Sequence, residues 1–289
     1  MLVAVILWIT IMSWMHMAQI FIMRALECNK NLKIADVSIS WPKEHETFIA
    51  DFEVESDFPV APEFNLSIES GLRQCHGIEY SEGDGTHFLH RAESSSEFLF
   101  ANSDWSKATV YCENYKDENY ELPLAALCAR LANFGALLVH GSLIDFNGQG
   151  IIFSGYSGVG KTTQAQLWEK YMNAKIINGD KVFVRYMKEA TFAYGSPWKG
   201  SSPYCLNQKV PLKAIVTLRQ SPENSIKKLN IVECLEYFMP HIFLPHWGEE
   251  SMSKAVETFD KILGDVPVYL LQCRPDEDAV IMTKEYVCG

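Results

Sequence analysis

Gly155-Tyr156-Ser157-Gly158-Val159-Gly160-Lys161-Thr162 is the stretch on which the reading of this chain turns. It matches the pattern Gly-x-x-x-x-Gly-Lys-[Ser/Thr] in full. The apolar run at 150–153 ahead of it reads as a buried strand, and residues 162–171 behind it read as a helix. Gly155, Gly158 and Gly160 allow positive-φ backbone and close approach to an anion. Successive amide N–H groups can then turn inward, and the helix start adds partial positive charge. The pattern predicts a nucleotide cradle made of Gly155, Tyr156, Ser157, Gly158, Val159, Gly160, Lys161, Thr162 and Thr163. Lys161 is the residue type that reaches β- and γ-phosphates, and the Thr162 hydroxyl is the type that ligates Mg2+. ATP and Mg2+ are the expected ligands.

Working outward, residues 174–180 read as a short strand that ends in Asp180. A carboxylate there supplies the hard oxygen that Mg2+ prefers, beside the Thr162 hydroxyl and phosphate oxygens. On the other side, 136–146 is strand-like and Asn147-Gly148 is a tight-turn signal. A hairpin at that turn pairs His140 with the strand that feeds the loop. Three roles stay open for His140: metal ligand, phosphate orientation, or proton transfer. The candidate catalytic set is His140, Lys161 and Asp180. Farther upstream, Leu122, Leu124, Ala125, Cys128, Leu131, Ala132 and Leu138 recur at helical spacing.

The segment from His140 to Thr163 resembles the HPr kinase/phosphorylase and phosphoenolpyruvate carboxykinase superfamily. That superfamily carries a His on a strand, then a Gly-x-Ser-Gly-x-Gly-Lys-[Ser/Thr] loop, then an acidic motif after the next helix. The small HPr-kinase-related proteins, some of which phosphorylate serine in ribosomally made peptides, are more similar still. The resemblance extends through Gly195-Ser196-Pro197-Trp198-Lys199-Gly200, Pro211–Val216 and Cys273–Val280, and so covers residues 120–289. It implies an α/β fold: a P-loop catalytic domain of HPr kinase/carboxykinase type, preceded by a β-rich N-terminal part. It implies phosphoryl transfer from ATP with Mg2+ to a hydroxyl, most closely a serine of a peptide or protein. It also implies oligomers in the wider family, so a homo-oligomer is among the expected partners. Gly179 stands where better-known members have the first of two adjacent acids. That leaves the general base to His140 first and Asp180 second. A small-molecule kinase for free serine or a polyol, and a nucleotide-binding accessory protein, stay open beside the peptide kinase.

Residues 195–202 are rich in Gly, Pro and Ser and read as a loop. Two readings stand: a lid or acceptor loop carried by Trp198, Lys199 and Gly200, or a surface turn with Trp198 in the core. The resemblance favours the lid. Arg274 is a candidate nucleotide contact. Residues 225–228 read as a solvated charge cluster, and the two histidines in 240–246 as structural.

The N-terminal half is different. Short apolar runs at 47–54, 87–90, 98–101 and 109–112, with turn signals at 81–85 and 102–104, predict strands and a β-rich domain at 24–118, followed by the P-loop domain at 119–289. Residues 1–23 contain no Asp, Glu, Lys or Arg. That run is long enough to span a bilayer, but polar residues interrupt it and later Met residues offer other starts. A membrane anchor and an over-extended start both stay open.

Composition bounds the partners. The chain has 289 residues, with Lys+Arg 25 against Asp+Glu 36, a net charge of −11. An acidic chain lacks the clustered positive charge that nucleic acids require. The eight cysteines form no Cys-x-x-Cys pair and read as reduced thiols, which points to the cytoplasm.

Overall fold

The computed structural model describes residues 29–42, 52–53, 64–70, 80–83, 86–90, 98–112 and 121–289. The apolar leader at 1–23 and most of the strand expected at 47–54 lie outside the described residues. Among the described residues, no helix is long and apolar enough to cross a membrane. The architecture is mixed α/β, with two sheets.

The first sheet is built from β1 (Asn29–Ile34), β2 (Val37–Pro42), β3 (Phe64–Ser70), β4 (Tyr80–Gly83), β5 (Thr86–His90), β6 (Phe98–Asn102) and β7 (Lys107–Cys112). Its order is β1-β2-β3-β7-β6-β5-β4. The β2–β3 and β3–β7 pairs are parallel, and the others antiparallel. The runs read as strands at 87–90, 98–101 and 109–112 are β5, β6 and β7. Within the turn expected at 81–85, Ser81, Glu82 and Gly83 instead pair with β5, and residues 84–85 lie outside the described residues.

The second sheet carries the phosphate-loop motif. Helix α1 (Glu121–Ala132) leads into β8 (Ala136–Phe146), which turns at Asn147-Gly148 into β9 (Gln149–Ser154). Both turn residues have positive φ, 54° and 80°, and Gly148 N donates to Asp145 Oδ1 at 2.8 Å. This is the twist that a two-residue hairpin needs. After α2 (Lys161–Met172) come β10 (Lys175–Asn178), β11 (Lys181–Met187), β12 (Ala190–Tyr194) and β13 (Lys209–Gln220). The chain ends with β14 (Ser225–Lys228), α3 (Ile231–Tyr237), β15 (Ile242–Phe243), α4 (Glu249–Asp265), β16 (Val268–Cys273) and α5 (Glu277–Cys288). The main order is β10-β8-β11-β12-β13-β16-β14, with β9 between β8 and β13 and β15 on β8.

β9, β13 and β16 run parallel at the centre. Central parallel strands are covered on both faces, and their alternation shows it. Ile151, Phe153, Ala214 and Val216 pack with Trp168 of α2 and Val280 of α5. Ile152 and Ile215 face the other way, toward Phe259 and Ile262 of α4. The 225–228 segment is a strand at the sheet edge, and its charged side chains are solvated there as expected. Its lysines keep that edge soluble.

β8 changes partners along its length. Residues 136–140 pair with β11, and residues 141–146 pair with β9. The change falls at Gly141, where a Cβ would stand 2.7 Å from Ile152 Cγ2 and 3.1 Å from Phe153 O. Only glycine allows that approach. The first sheet packs on this half through a shared core: Leu32, Ile39, Trp41 and Trp105 cluster with Leu127 and Leu131 of α1 and with Phe183 and Trp198.

Candidate functional site

Four chain segments meet where β8 switches partner. The loop between β9 and α2 is one. Gly155, Gly158 and Gly160 take φ of 146°, 77° and 111°, all in the region that favours glycine. No atom lies within 4 Å of a Cβ built on Gly158 or Gly160, so the main chain there is open to approach. Gly160 is the N-cap of α2, and no side chain caps the helix. Lys161 Nζ donates to Gly155 O and Tyr156 O, 3.1 Å each, so the ammonium lies against the loop's own carbonyls. Burial lowers its pKa; Asp180 opposes that shift and Lys181 adds to it.

Asp180 is the second segment, in the link from β10 to β11. Asn178 builds that link. Its Oδ1 accepts from Asp180 N at 2.9 Å and Lys181 N at 3.1 Å, while its Nδ2 donates to Ser196 O at 2.8 Å. His140 on β8, opposite Lys181, brings Nε2 to 3.1 Å from Asp180 Oδ1. Lys181 Nζ takes the other oxygen at 2.7 Å. Burial opposes ionisation of Asp180, but hydrogen bonds from His140 and Lys181 and the Lys181 charge outweigh it. The carboxyl is held down at about 2. Thr162 Oγ1 and Ser142 Oγ both donate to Gly179 O, at 3.2 and 3.0 Å. The peptide before Asp180 is thereby tied to the first turn of α2.

The 195–202 loop is the third segment, and here the reading of Trp198 as a lid residue is corrected. Its ring is 2% exposed and meets Trp41 and Phe183 edge-on at 6.0 and 6.2 Å. It is core, drawn in by the apolar face of the first sheet. Lys199 and Gly200 are exposed, and a Cβ on Gly200 would stand 2.9 Å from Asp180 Cγ. The loop therefore lies beside the carboxylate. It also explains Gly179: a Cβ there would fall 1.9 Å from Ser202 Oγ. The turn occupies the space that a first acid would need.

The fourth segment follows α3. His241 is 6% exposed and stands edge-on to the Tyr156 ring at 4.7 Å. Burial, then the nearby His140 and Lys161, lowers its pKa to about 4. Two cavities flank the loop. One of about 570 Å3 lies between Tyr156–Val159, Arg219 and His241. Another of about 510 Å3 lies between Gly160, Thr163, Gln220 and Arg274. Arg274 is on that rim, its Nε on Asp276 Oδ2 at 2.9 Å.

The structure thus brings Thr162 to the Gly179–Asp180 peptide and His140 to the Asp180 carboxylate, keeps Lys161 against the loop's carbonyls within electrostatic reach of Asp180, and leaves the Trp198 side chain outside. Sequence reasoning missed Lys181 and Asn178, and read His241 as structural without placing it at the loop. Adjacency to Asp180 flags the first two; no local signal marks His241, whose partners lie far away in the chain. Among the described residues, no group of three or more His, Cys, Asp or Glu side chains is arranged to hold a metal ion. Cys128, Cys234, Cys273 and Cys288 are free thiols.

No family model and no curated protein matches the sequence. Solved structures that resemble the chain include the HPr(Ser) kinase/phosphatase from Coxiella burnetii. It is 8% identical, with a TM-score of 0.33 over 52% of this chain and 95% of that one. A likeness of that size carries no conclusion about activity.

Proposed function

We propose that this chain binds ATP with Mg2+ at residues 155–163 and passes the terminal phosphoryl group to a hydroxyl, a serine of a peptide or protein. The observation that carries the reading is the loop. Three glycines at positive φ join a central parallel strand to a helix without a side-chain cap, and a buried ammonium rests on the loop's carbonyls. A loop of that kind can turn amide donors inward beside a positive charge.

The donor chemistry fits the expected ligands. The open main chain at Gly158 and Gly160 admits phosphate oxygens. Thr162 and Asp180, on either side of the Gly179 peptide, offer the hard oxygens that would hold Mg2+. When bound, the ion would neutralise charge on the transferring phosphoryl group. In this reading Lys161 trades its two carbonyls for phosphate oxygens, and Lys181 releases one oxygen of Asp180. An Asp180 carboxyl held near 2 is a weak base, which suits a ligand better than a proton acceptor. An ionised carboxylate only accepts hydrogen bonds, so His140 Nε2 carries the proton and Nδ1 is the basic nitrogen. During transfer the acceptor oxygen bonds to phosphorus, the bridging bond to the diphosphate breaks, and the hydroxyl proton passes to His140.

Both Asp180 oxygens are already engaged, by His140 and Lys181. That favours one second reading: an accessory protein that binds nucleotide without transferring phosphate. Calorimetry with ATP and magnesium, followed by incubation of labelled ATP with serine-containing peptides, separates the two. The enzyme gives binding and labelled peptide, and the accessory gives binding alone. Lys161→Ala is expected to remove nucleotide binding while circular dichroism and Tm stay unchanged. No heat from the wild-type protein with ATP or GTP, or normal transfer by Lys161→Ala, would overturn the assignment.

A further inference from the structure

Asp180 faces more positive charge than it balances. Lys181 Nζ lies 2.7 Å from Asp180 Oδ2, and His140 Nε2 lies 3.1 Å from Oδ1. After burial, the influences on the Lys161 ammonium are the attraction of Asp180 and the repulsion of Lys181. Two ammoniums therefore share this carboxylate. The Lys181 and Asp180 side chains are only 13% and 21% exposed, so water and salt screen the pair little. The main chain aims Lys181 at this place. Its N–H donates to Asn178 Oδ1 at 3.1 Å and to Trp198 O at 3.2 Å, and its carbonyl accepts from Ser196 Oγ at 2.5 Å. None of those bonds uses the ammonium. Lys181 also lines a cavity of about 310 Å3 together with Glu121 and Phe243, and its Nζ is 5.8 Å from the centre of the Phe243 ring. The side chain thus has space beside it, along an aromatic face that suits a cation.

We infer that Lys181 is a built-in counter-ion, which keeps a divalent cation off Asp180 until the phosphates of a nucleotide arrive and then yields its oxygen. The role rests on the reading of this site as one for ATP and Mg2+, and adds an order of binding to it. A divalent cation arriving alone would meet the charges of both Lys161 and Lys181. Among the described residues, no group of three or more His, Cys, Asp or Glu side chains is arranged to offset that repulsion. A triphosphate brings what is missing: negative charge for the two ammoniums, and hard oxygens beside those of Asp180 and Thr162. Lys181 is a positioning residue in this scheme, acting through Asp180.

The test uses the full chain without nucleotide and Mn2+ as the probe, followed by water-proton relaxation. Lys181→Met keeps the length of the side chain and every main-chain bond but removes the charge. It is expected to bind Mn2+ at least about tenfold more tightly than wild type, the scale of one unit charge a few ångströms away. Lys181→Arg keeps the charge and should behave as wild type. The gain should vanish in Lys181→Met combined with Asp180→Asn, which places the ion on that carboxylate. Equal Mn2+ affinity in wild type and Lys181→Met, or the same gain in Lys181→Arg, would overturn the role. The wild-type titration needs no Lys181 variant: saturable Mn2+ uptake that Asp180→Asn abolishes would overturn the role as well. Calorimetry with ATP tests the nucleotide reading separately. A gain of Mn2+ by Lys181→Met in a protein that takes up no ATP would sink that reading and its order of binding, and leave Lys181 as the guard of Asp180.

Discussion

Two histidines of this site show how much a single position owes to its surroundings. His241 lies behind Tyr156, its pKa lowered from 6.5 to about 4 by burial and by the nearby His140 and Lys161. The unfolded chain therefore binds an extra proton between those values. The resulting stability is complete above pH 6.5 and is lost as pH falls toward 4, up to about 3 kcal/mol. Chemical denaturation between pH 7 and pH 4 should show a steep loss in the wild type and a shallower one in His241→Gln. Asp180 acts at lower pH, because its folded pKa lies near 2. Its contribution is present above about 4 and disappears as pH falls through 2. Asp180→Asn should flatten that acid limb and also remove phosphoryl transfer.

At the scale of elements, the link from β10 to β11 and the turn at Lys199–Ser202 are fitted to each other. Ser202 Oγ donates to Lys199 O at 2.8 Å, and this turn covers Gly179. Restoring a second acid by Gly179→Asp should therefore destabilise the protein by about 1–3 kcal/mol rather than add a catalytic base. Thermal melts check this, and Ser202→Gly in the same chain should recover part of the loss. A Gly179→Asp protein as stable as wild type would show that the turn moves aside freely. Helix α2 is anchored differently, by Trp168, which is fully buried against Phe146 and Phe153. Trp168→Ala should cost about 3–5 kcal/mol and loosen the helix that presents Lys161 and Thr162.

Over the whole molecule, the ties between the two sheets include a polar join and an aromatic one. The turn at Ala35-Asp36 has positive φ at both residues, which non-glycine residues hold only with support. Arg185 Nη1 donates to Ala35 O at 2.6 Å, Tyr194 OH to Asp36 Oδ2 at 2.9 Å, and Lys209 Nζ to the same oxygen at 2.7 Å. Beneath them Trp41 meets Trp198. The first sheet thus fixes the base of the loop whose tip lies beside Asp180. Asp36→Ala should lower stability by about 1–2 kcal/mol by leaving Tyr194 and Lys209 without their acceptor. Urea titration followed by tryptophan fluorescence reads this directly.

The sequence by itself determined what depends on neighbours along the chain. β8 and its Asn147-Gly148 turn, β9, the loop and α2 were legible because strand patterning, turn chemistry and helix spacing are local; the same local pattern is what named Lys161, Thr162 and Asp180 as candidates. The strand character of 225–228 and the burial of Trp198 were not, because each depends on a partner distant in sequence: β16 for the first, Trp41 and Phe183 for the second. The same reason hid the placement of His241 at Tyr156 and the Lys181–Asp180 pair beside His140. Contacts across the fold are set by which faces the core brings together, and only the tertiary structure decided those.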